Sequence, residues 1–319
     1  MYKLICDDAI SGLLSLEDRS VHSVITSPPY YNLRDYNFPK QIGLEETPEQ
    51  YIESLVSIFD SVRRVLRKDG TIWVNLGDTY ASKSYGSIKT GDLIGIPWMF
   101  AFAMRESGWF IRSDVIWAKP NPLPGGALNK PTSSHEYFFL LSKSNDYYYD
   151  REATKEDATE KNTDGTYKKR LKRDVWSVPV ASFKGSHFAV FPQKLIEPCV
   201  LASTSEKGCC QDCGNPYIRK LEKHRYATRP GKNNKTDHTG FVNRDSGRHL
   251  TESKTIGWEK SCLCETEAIK PCVILDPFCG SGTTGVGSMK YGRDFIGVDG
   301  KKEYIAIAEK RLTECKSIF

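Results

Sequence analysis

Residues 275–284 read LDPFCGSGTT and place Gly280 and Gly282 at the junction of a predicted strand, Cys272–Asp276, and a predicted helix. A glycine turn at such a junction lets a ligand approach the backbone without obstruction by side chains. The next predicted strand, Asp294–Asp299, ends in a carboxylate about twenty residues further on. This is the spacing at which nucleotide-type ligands present a ribose to an acidic side chain.

The glycine turn differs from the two common phosphate-binding turns. It does not follow G-x-G-x-x-G, and it lacks the Gly-Lys-Ser/Thr sequence of a P-loop. The pattern therefore predicts a ligand that contains a ribose but no pyrophosphate, with Asp299 as the partner of the ribose.

Strands and helices alternate along much of the remaining chain. A helix is predicted from Thr47, where Thr47-Pro48-Glu49-Gln50 forms a capping box with proline in the first turn, and the last helix is predicted at Glu303–Leu312. The order of elements predicts an α/β fold, a Rossmann-like sheet with helices on both faces. The further predicted strands are Tyr2–Cys6, Val21–Thr26, Thr71–Leu76, Phe110–Trp117 and Glu136–Leu141.

Two motifs resemble those of one enzyme family. LDPFCGSGTT resembles motif I of S-adenosylmethionine-dependent DNA amino-methyltransferases, and Ser27-Pro28-Pro29-Tyr30 resembles their motif IV, D/N/S-P-P-Y/F/W. The catalytic motif precedes the cofactor motif, as in the β arrangement of this family. The resemblance covers residues 1–150, 187–202 and 271–319. It implies the methyltransferase sheet, S-adenosyl-L-methionine as cofactor and an amine of a DNA base as substrate.

The resemblance also implies a cofactor site. Asp7 lies in CDDAISGLL, which resembles a G-D-A-L strand end in which cysteine replaces the usual glycine. Segments that begin at Ser134 and His187 resemble the strand beside the target base and the segment over the cofactor. The implied cofactor-binding residues are Asp7, Asp276, Phe278, Gly280, Ser281, Gly282, Thr283 and Asp299.

The four residues of the SPPY motif suit methyl transfer to an exocyclic amine. Such an amine is a poor nucleophile because its lone pair is delocalised into the ring. The Ser27 hydroxyl and the Ser27 or Pro28 carbonyl can accept the amine hydrogens and favour a pyramidal nitrogen. The prolines Pro28 and Pro29 fix φ and hold those carbonyls in place, and Tyr30 would stack on a base swung out of the duplex. A rigid turn with a packed tyrosine is the alternative interpretation.

The residue that opens the motif bears on the target base. Serine is typical of family members that methylate cytosine N4, whereas aspartate is typical of those that methylate adenine N6, so we expect cytosine N4, with adenine N6 as the alternative. Methylation at cytosine C5 requires a cysteine nucleophile. Neither Pro198-Cys199 nor Pro271-Cys272 follows a motif I. Methylation of RNA or of a protein amide, and a non-catalytic zinc-dependent DNA-binding protein, remain further alternatives.

Five of the ten cysteines lie in residues 203–270, a stretch in which no regular structure is predicted. Cys210 and Cys213 form a C-x-x-C pair, and Cys262 and Cys264 form a C-x-C pair. Four thiolates from two short turns can bind tetrahedral zinc and fold a segment that lacks a core. We therefore predict a structural zinc site.

The zinc ligands have alternatives. Cys209 could replace Cys210, and His224, His238 or His249 could replace a thiolate. Buried free cysteines or a redox pair would be non-metal interpretations, but a polar stretch offers little apolar volume for five thiols. A zinc lobe would present the basic loop Arg225–His249 to DNA.

Positive charge is concentrated in the middle of the chain. Residues 151–260 contain 22 Lys and Arg against 14 Asp and Glu, although the whole chain carries a net charge of only +5. An excess of surface lysine would also explain this charge. We nevertheless expect double-stranded DNA as the partner, with phosphates neutralised by one basic run. Its members are Lys168, Lys169, Arg170, Lys172 and Arg173.

The predicted organisation has five segments. No stretch of about 18 apolar residues occurs, so we expect no membrane contact and a cytoplasmic protein of a bacterium or of a phage in its host. A cognate restriction endonuclease is a possible partner, and the sequence leaves the oligomeric state open. The segments are 1–150 (catalytic half), 151–186 (target recognition), 187–202 (cofactor cover), 203–270 (zinc-binding insertion) and 271–319 (cofactor-binding half).

Overall fold

A computed structural model describes residues 1–38, 41–122, 129–161, 165, 167–180, 191–227 and 249–316. Within these ranges no helix combines the length and the apolar character needed to cross a membrane. The helices are α1 (Ala9–Leu14), α2 (Pro48–Val65), α3 (Ile96–Glu106), α4 (Gln193–Ser203), α5 (Thr283–Lys290) and α6 (Lys302–Lys316). The strands are β1 (Tyr2–Cys6), β2 (Val21–Thr26), β3 (Leu66–Leu76), β4 (Phe110–Ala118), β5 (His135–Ser142), β6 (Glu156–Lys161), β7 (Tyr167–Arg170), β8 (Val175–Ser177), β9 (Cys209–Cys210), β10 (Ile218–Ala227), β11 (His249–Glu259), β12 (Ile269–Lys270), β13 (Val273–Asp276) and β14 (Asp294–Asp299).

One eight-stranded sheet organises the molecule, in the order β1-β14-β13-β2-β3-β5-β4-β8. The first five strands are parallel, and β5 runs antiparallel to both β3 and β4. Strands β13 and β2 are neighbours although they come from opposite ends of the chain. Because parallel strands end at the same edge, Thr26 and Asp276 lie side by side, and so do the two motifs that follow them.

Side chains that alternate along the central strands face two different helical layers. Val24 packs in the core formed with α1, α2 and α3, whereas its neighbour Ile25 packs in the core formed with α4. Trp73 faces α4 in the same way, and α5 packs against both α4 and α6. The predicted α/β fold, with helices on both faces of a large sheet, is therefore confirmed.

Helix α2 begins where the sequence predicts and fixes part of the SPPY motif. The Thr47 hydroxyl accepts the Gln50 N–H, and the Gln50 side chain accepts the Thr47 N–H, which completes the capping box. Tyr51, in the first turn, donates its hydroxyl to the Pro29 carbonyl at 2.7 Å. The start of α2 therefore sets the position of Pro29.

The expectation that residues 203–270 lack regular structure is wrong for two long strands. Strands β10 and β11 pair as an antiparallel hairpin from Ile218 and Glu259 to Ala227 and His249. Both strands are rich in charge, and the apolar Ile218 and Ile256 are each about half exposed. None of the side chains of β10 and β11 whose burial is described is buried, and the hairpin lacks the period-two hydrophobicity that reveals most strands. The greater part of the predicted DNA-contacting loop, residues 228–248, lies outside the described residues.

Candidate active site

A cavity of about 1140 Å³ opens at the carboxyl edge of the central sheet. Ser27, Pro28, Pro29 and Tyr30 line it together with Asp276, Phe278, Gly280, Ser281, Thr283 and Asp299. The SPPY motif and the glycine turn therefore form walls of one space, as the parallel pairing of β2 with β13 requires.

The glycine turn is held open by the acidic residue that ends β14. Asp299 accepts hydrogen bonds from the Gly280 N–H at 2.9 Å and from the Lys301 N–H at 3.0 Å. Burial raises the pKa of this carboxyl above its ordinary value. Gly280 and Gly282 have φ of +49° and +75°, in the left-handed region that favours glycine. A Cβ on Gly282 would also come within 3.0 Å of Ala308, so this turn accepts little else.

Asp276 joins the two motifs instead of facing the cavity with a free carboxylate. It accepts hydroxyl hydrogens from Thr26 at 2.6 Å and from Thr284 at 2.7 Å, and the Phe278 N–H at 3.1 Å. Burial raises the pKa of Asp276 to about 6. One side chain thus connects the end of β2, the glycine turn and the start of α5.

Asn75 and Glu136 hold the hydroxyl of Tyr30 at the cavity wall, and Gly77 leaves room for its ring. The hydroxyl lies 2.7 Å from Glu136 Oε2 and 3.0 Å from Asn75 Oδ1, and both oxygens can accept its hydrogen. Burial, followed by the negative charge of Glu136, raises the pKa of Tyr30 well above its ordinary value, so the hydroxyl stays protonated. A Cβ at Gly77 would lie 2.7 Å from the tyrosine ring, so glycine there leaves room for it.

The Ser27 hydroxyl remains able to bind a substrate. Its oxygen lies 3.5 Å from the Tyr30 hydroxyl, which is too long for a good O–H···O hydrogen bond. Pro28 is buried, and the Pro29 carbonyl accepts a hydrogen bond from Tyr51, so the backbone between Ser27 and Tyr30 is held in place.

Two of the predicted cofactor residues do not line the cavity. Asp7 is exposed, and its side chain accepts the Asp8 N–H at 2.9 Å, whereas Asp8 itself lines the cavity and caps α1. Gly282 sits behind the turn against Ala308. Both adjacent acidic positions in CDDA carry aspartate, and Asp8 is the one that lines the cavity.

The lining residues that the sequence did not single out include Asn75, Lys119 and Glu136. Asn75 lies within β3, and β5 brings Glu136 beside it because β3 and β5 are neighbours. The available signal was the strand resemblance that begins at Ser134 and the Pro/Gly-rich connection after Trp117. Neither identifies single residues.

No cysteine is presented as a nucleophile for carbon methylation. Cys199 is buried in α4 and Cys272 is buried at the start of β13, and neither lines the cavity. Cys279 does line it, but burial raises the pKa of this thiol well above its ordinary value. Its sulfur packs against Gly297. A protonated, packed thiol suits a structural role.

The four predicted zinc ligands meet at the opposite edge of the sheet. The sulfur atoms of Cys210, Cys213, Cys262 and Cys264 all lie within 4.8 Å of one another. Arg67, near the start of β3, donates to the Cys213 carbonyl at 2.8 Å. Since β2 and β3 start at this edge and Ser27 follows the other end of β2, the thiols are a strand length away from the cavity.

Cys209, the alternative to Cys210, lies in a different group of side chains. Its sulfur lies within 4.8 Å of His22 and Cys272. His22 Nδ1 accepts the Val273 N–H at 3.0 Å, so Nε2 carries the proton and donates to the Gly214 carbonyl at 2.8 Å. Because both ring nitrogens of His22 already make hydrogen bonds to the backbone, neither is available to bind a metal ion. The side chain instead connects β2 to Gly214 and Val273. Of the alternative histidines, His238 and the side chains of His224 and His249 lie outside the described residues.

Every member of the predicted phosphate-binding run has a carboxylate within 4.0 Å in the folded chain. Glu156 contacts Arg170, Lys172 and Arg173, while the two lysines pair with Asp157 and Glu160. Such exposed pairs contribute little stability, and a phosphate can displace the carboxylate. The run therefore offers less free positive charge than the sequence alone suggests.

Comparison with known proteins agrees with this geometry. The family model described as DNA methylase (N6_N4_Mtase) matches residues 21–213 and 269–310. The chain is 37% identical to the Type II methyltransferase M.Cfr9I of Citrobacter freundii, over 96% of this chain and 85% of that protein. It is 35% identical to the Type II methyltransferase M.SmaI of Serratia marcescens, over 97% and 90% of the two chains.

Solved structures share the fold. The PvuII DNA methyltransferase (cytosine-N4-specific) has a TM-score of 0.61 at 17% identity and covers 99% of this chain and 92% of its own. M1.HpyAVI, solved as a complex with SAM, has a TM-score of 0.51 at 18% identity, with 98% and 99% covered. With both motifs on one cavity, the chain belongs to the N6/N4 DNA methylase family of S-adenosylmethionine-dependent amino-methyltransferases.

Proposed function

We propose that this protein methylates N4 of a cytosine that has been swung out of double-stranded DNA. The observation that carries the proposal is the Ser27 hydroxyl, which lines the same cavity as the glycine turn and is followed by the fixed ring of Tyr30. Serine at the head of this motif favours cytosine, and adenine N6 is the second candidate. The relatives named as Type II methyltransferases support DNA as the substrate.

The residues around the glycine turn fit S-adenosyl-L-methionine. The Asp299 carboxylate can accept ribose hydroxyls, and the glycine turn leaves space where side chains would otherwise stand. We assign Phe278, Gly280, Ser281 and Thr283 to this wall, with Asp8 in the place predicted for Asp7. The bound cofactor would supply a methyl group on a positively charged sulfur. Asp276 would line this wall with its carboxylate bound to Thr26 and Thr284, and Gly282 would support the wall from behind.

The SPPY wall would prepare the amine. The Ser27 hydroxyl oxygen and the Ser27 or Pro28 carbonyl would accept the two amine hydrogens and aim the nitrogen lone pair into the cavity. Tyr51 holds Pro29, and Glu136 with Asn75 holds Tyr30, which supports a wall that is arranged before a substrate arrives. The tyrosine ring would stack on the extruded base. No step requires a metal.

The base and the atom are tested by product analysis. The protein is incubated with labelled S-adenosyl-L-methionine and duplexes of varied sequence, which are then digested to nucleosides and separated. The proposal predicts label in N4-methylcytosine. Label in N6-methyladenine would establish the second candidate, and label only in RNA or protein substrates would remove DNA as the target.

We further propose that Cys210, Cys213, Cys262 and Cys264 bind a structural zinc ion. A Zn–S bond of about 2.3 Å places the sulfurs of a tetrahedral site about 3.8 Å apart, which agrees with four sulfurs within 4.8 Å. The two cysteine turns join different chain segments, so a bound ion would cross-link the start of the hairpin to its return.

Metal analysis tests the zinc site. Protein purified without chelator is predicted to contain about one zinc per chain by mass spectrometry, and Cys213→Ser is predicted to lose it. Cys6→Ser, which removes an exposed thiol elsewhere, is the matched control and should retain the metal. A zinc-free wild type whose thermal unfolding equals that of Cys213→Ser would contradict the proposal.

The remaining assignments follow from the relatives and from position. We propose that residues 151–186 and the β10–β11 hairpin select the target sequence, and that a restriction endonuclease of the same specificity is the partner in the cell. The segment boundaries predicted from the sequence stay predictions. Methylation-protection of plasmid DNA from the expressing strain against a panel of endonucleases would identify both the site and the matching specificity.

A further inference from the structure

A lysine and a glutamate form an ion pair on the cavity wall beside the SPPY motif. Lys119 follows β4 and Glu136 lies near the start of β5, where it pairs in register with Trp117. The ammonium of Lys119 contacts Glu136 Oε1, while Oε2 lies 2.7 Å from the Tyr30 hydroxyl. The two side chains are only 19% and 14% exposed.

Stability alone does not account for this pair. Removing two charges from water carries a penalty that their attraction rarely exceeds, and apolar residues of similar size often stabilise such sites equally well. Here the pair lines the cavity next to Tyr30 and Ser27 instead of filling the interior. A partly buried ion pair at the wall of a binding site is better explained by a ligand.

The geometry leaves the ammonium able to bind that ligand. Lysine has three N–H donors, and among the described residues Glu136 is the one hydrogen-bond acceptor of Lys119 Nζ. The ammonium also lies 4.6 Å from the centroid of the Trp117 ring, which confines it from one side. Glu136, fixed by Tyr30, limits it from another.

The two candidate bases differ at the atom that such a donor would meet. Next to the exocyclic amine, both bases carry a ring nitrogen that accepts hydrogen bonds. One atom further along the same edge, cytosine has the carbonyl oxygen O2, whereas adenine has a C–H group. A donor that faces this atom favours cytosine, and it leaves adenine with an unsatisfied partner.

Resting on the proposed cytosine target, we infer that Lys119 donates a hydrogen bond to O2 of the extruded base and so reads its identity, with Glu136 as the positioning residue. The pair is neutral as a whole, so it adds no net positive charge next to the amine as that nitrogen gains charge in the reaction. Ser27 and Lys119 would thus hold the two ends of one base edge.

The test pairs a protein change with a base change. Single-turnover methylation is measured for wild type and Lys119→Met on duplexes that carry cytosine or 2-thiocytosine at the target, because sulfur is the weaker acceptor. Each change alone is predicted to lower the rate about 10- to 100-fold. Together they are predicted to lower it by little more than either alone, since both remove the same hydrogen bond.

Controls separate this inference from folding and from the proposed function. Lys130→Met removes an exposed lysine from the same connection and should behave as wild type. Lys119→Met combined with Glu136→Gln leaves no unpaired buried charge and should show the same insensitivity to 2-thiocytosine. If the rate losses from Lys119→Met and from 2-thiocytosine multiply while the product is N4-methylcytosine, the role of Lys119 is overturned and the proposed function stands. N6-methyladenine as the wild-type product would overturn the cytosine assignment before the comparison begins.

Discussion

The two edges of the central sheet are built in opposite ways. At the carboxyl edge, Ser27, Tyr30 and Asp299 follow or end parallel strands and face an open cavity. At the amino edge, His22 and Arg67 face a cysteine turn and bind its backbone carbonyls. Side chains at the carboxyl edge surround a cavity, whereas those at the amino edge make hydrogen bonds that attach the cysteine turn to the sheet.

The difference separates function from stability within one fold. Parallel α/β sheets bind ligands beyond the carboxyl ends of their strands, and both family motifs lie there. The amino edge is where the four thiols and the hairpin are attached, and the bonds from His22 and Arg67 tie them to the strands that carry the motifs. We therefore expect changes at the carboxyl edge to alter the reaction, and changes at the amino edge to alter stability.

Removing the Tyr30 ring is predicted to have the largest effect. Tyr30→Ala should lower the single-turnover rate by about 10³-fold, because base stacking contributes about 1–3 kcal/mol and a misplaced base loses about a further 10² in rate. Tyr30→Phe keeps the ring and is the matched control, predicted to lose about tenfold through its freed hydroxyl contacts. Equal losses of rate in Tyr30→Ala and Tyr30→Phe would show that methyl transfer depends on the tyrosine hydroxyl and not on stacking by the ring.

The burial of the Asp276 carboxyl predicts a pH-dependent stability. Because burial raises its pKa from 3.8 to about 6, the folded state binds the proton more tightly than the unfolded state. Asp276 therefore destabilises the folded chain progressively as pH rises from about 4 to 6, by up to about 3 kcal/mol. Asp276→Asn, which cannot titrate, should gain stability relative to wild type over this window in urea unfolding. A pH-independent difference between the two would show that burial does not raise the pKa of Asp276.

Removing the hydrogen bonds of Arg67 is predicted to lower the stability of the protein and to leave its affinity for the cofactor almost unchanged. Arg67 donates to the Cys213 carbonyl and to the Asn215 side chain at 2.6 Å. Hydrogen bonds from a charged donor contribute about 1.5–3 kcal/mol, so Arg67→Met should lose about that amount in urea unfolding. Lys68→Met, one residue away and exposed, should lose almost nothing. A large loss of S-adenosyl-L-methionine affinity in Arg67→Met would mean that the two edges are not independent.

The smallest predicted effect is at the start of α2. Thr47→Ala removes the hydroxyl of the capping box and should lower stability by about 1 kcal/mol. Because Tyr51 in the same turn holds Pro29, a small fall in methylation rate should accompany it. Ser61→Ala, on an exposed turn of the same helix, is the control. An unchanged thermal midpoint in Thr47→Ala would show that packing alone starts the helix.

The carboxyl edge could be predicted from sequence because its residues are contiguous. SPPY and LDPFCGSGTT each contain strand end, turn and functional groups within ten residues, and the α/β order then requires them to meet. Asp8 was missed because two aspartates are adjacent and only one faces the cavity. Lys119 and Glu136 were missed because their meeting depends on how β4 and β5 pair across an irregular connection.

The amino edge was only half predictable. The spacing of Cys210, Cys213, Cys262 and Cys264 indicates their meeting, since two short turns with paired cysteines have few other uses. The hydrogen bonds of His22 and Arg67 could not be predicted, because they are made to backbone carbonyls, which every residue has. The β10–β11 hairpin was missed for a related reason, since none of its described side chains is buried and its sequence shows no alternating apolar pattern.

The two walls of the cavity are expected to have separate tasks, one binding the cofactor and the other holding the target base, and paired measurements on both walls distinguish these tasks. The affinity for S-adenosyl-L-methionine and the single-turnover methylation rate are measured for Tyr30→Ala and Asp299→Asn. Tyr30→Ala is predicted to bind the cofactor within about twofold of wild type and to lose transfer, whereas Asp299→Asn is predicted to lose about 10- to 100-fold in affinity. Loss of cofactor affinity in Tyr30→Ala as large as that in Asp299→Asn would contradict separate tasks for the two walls.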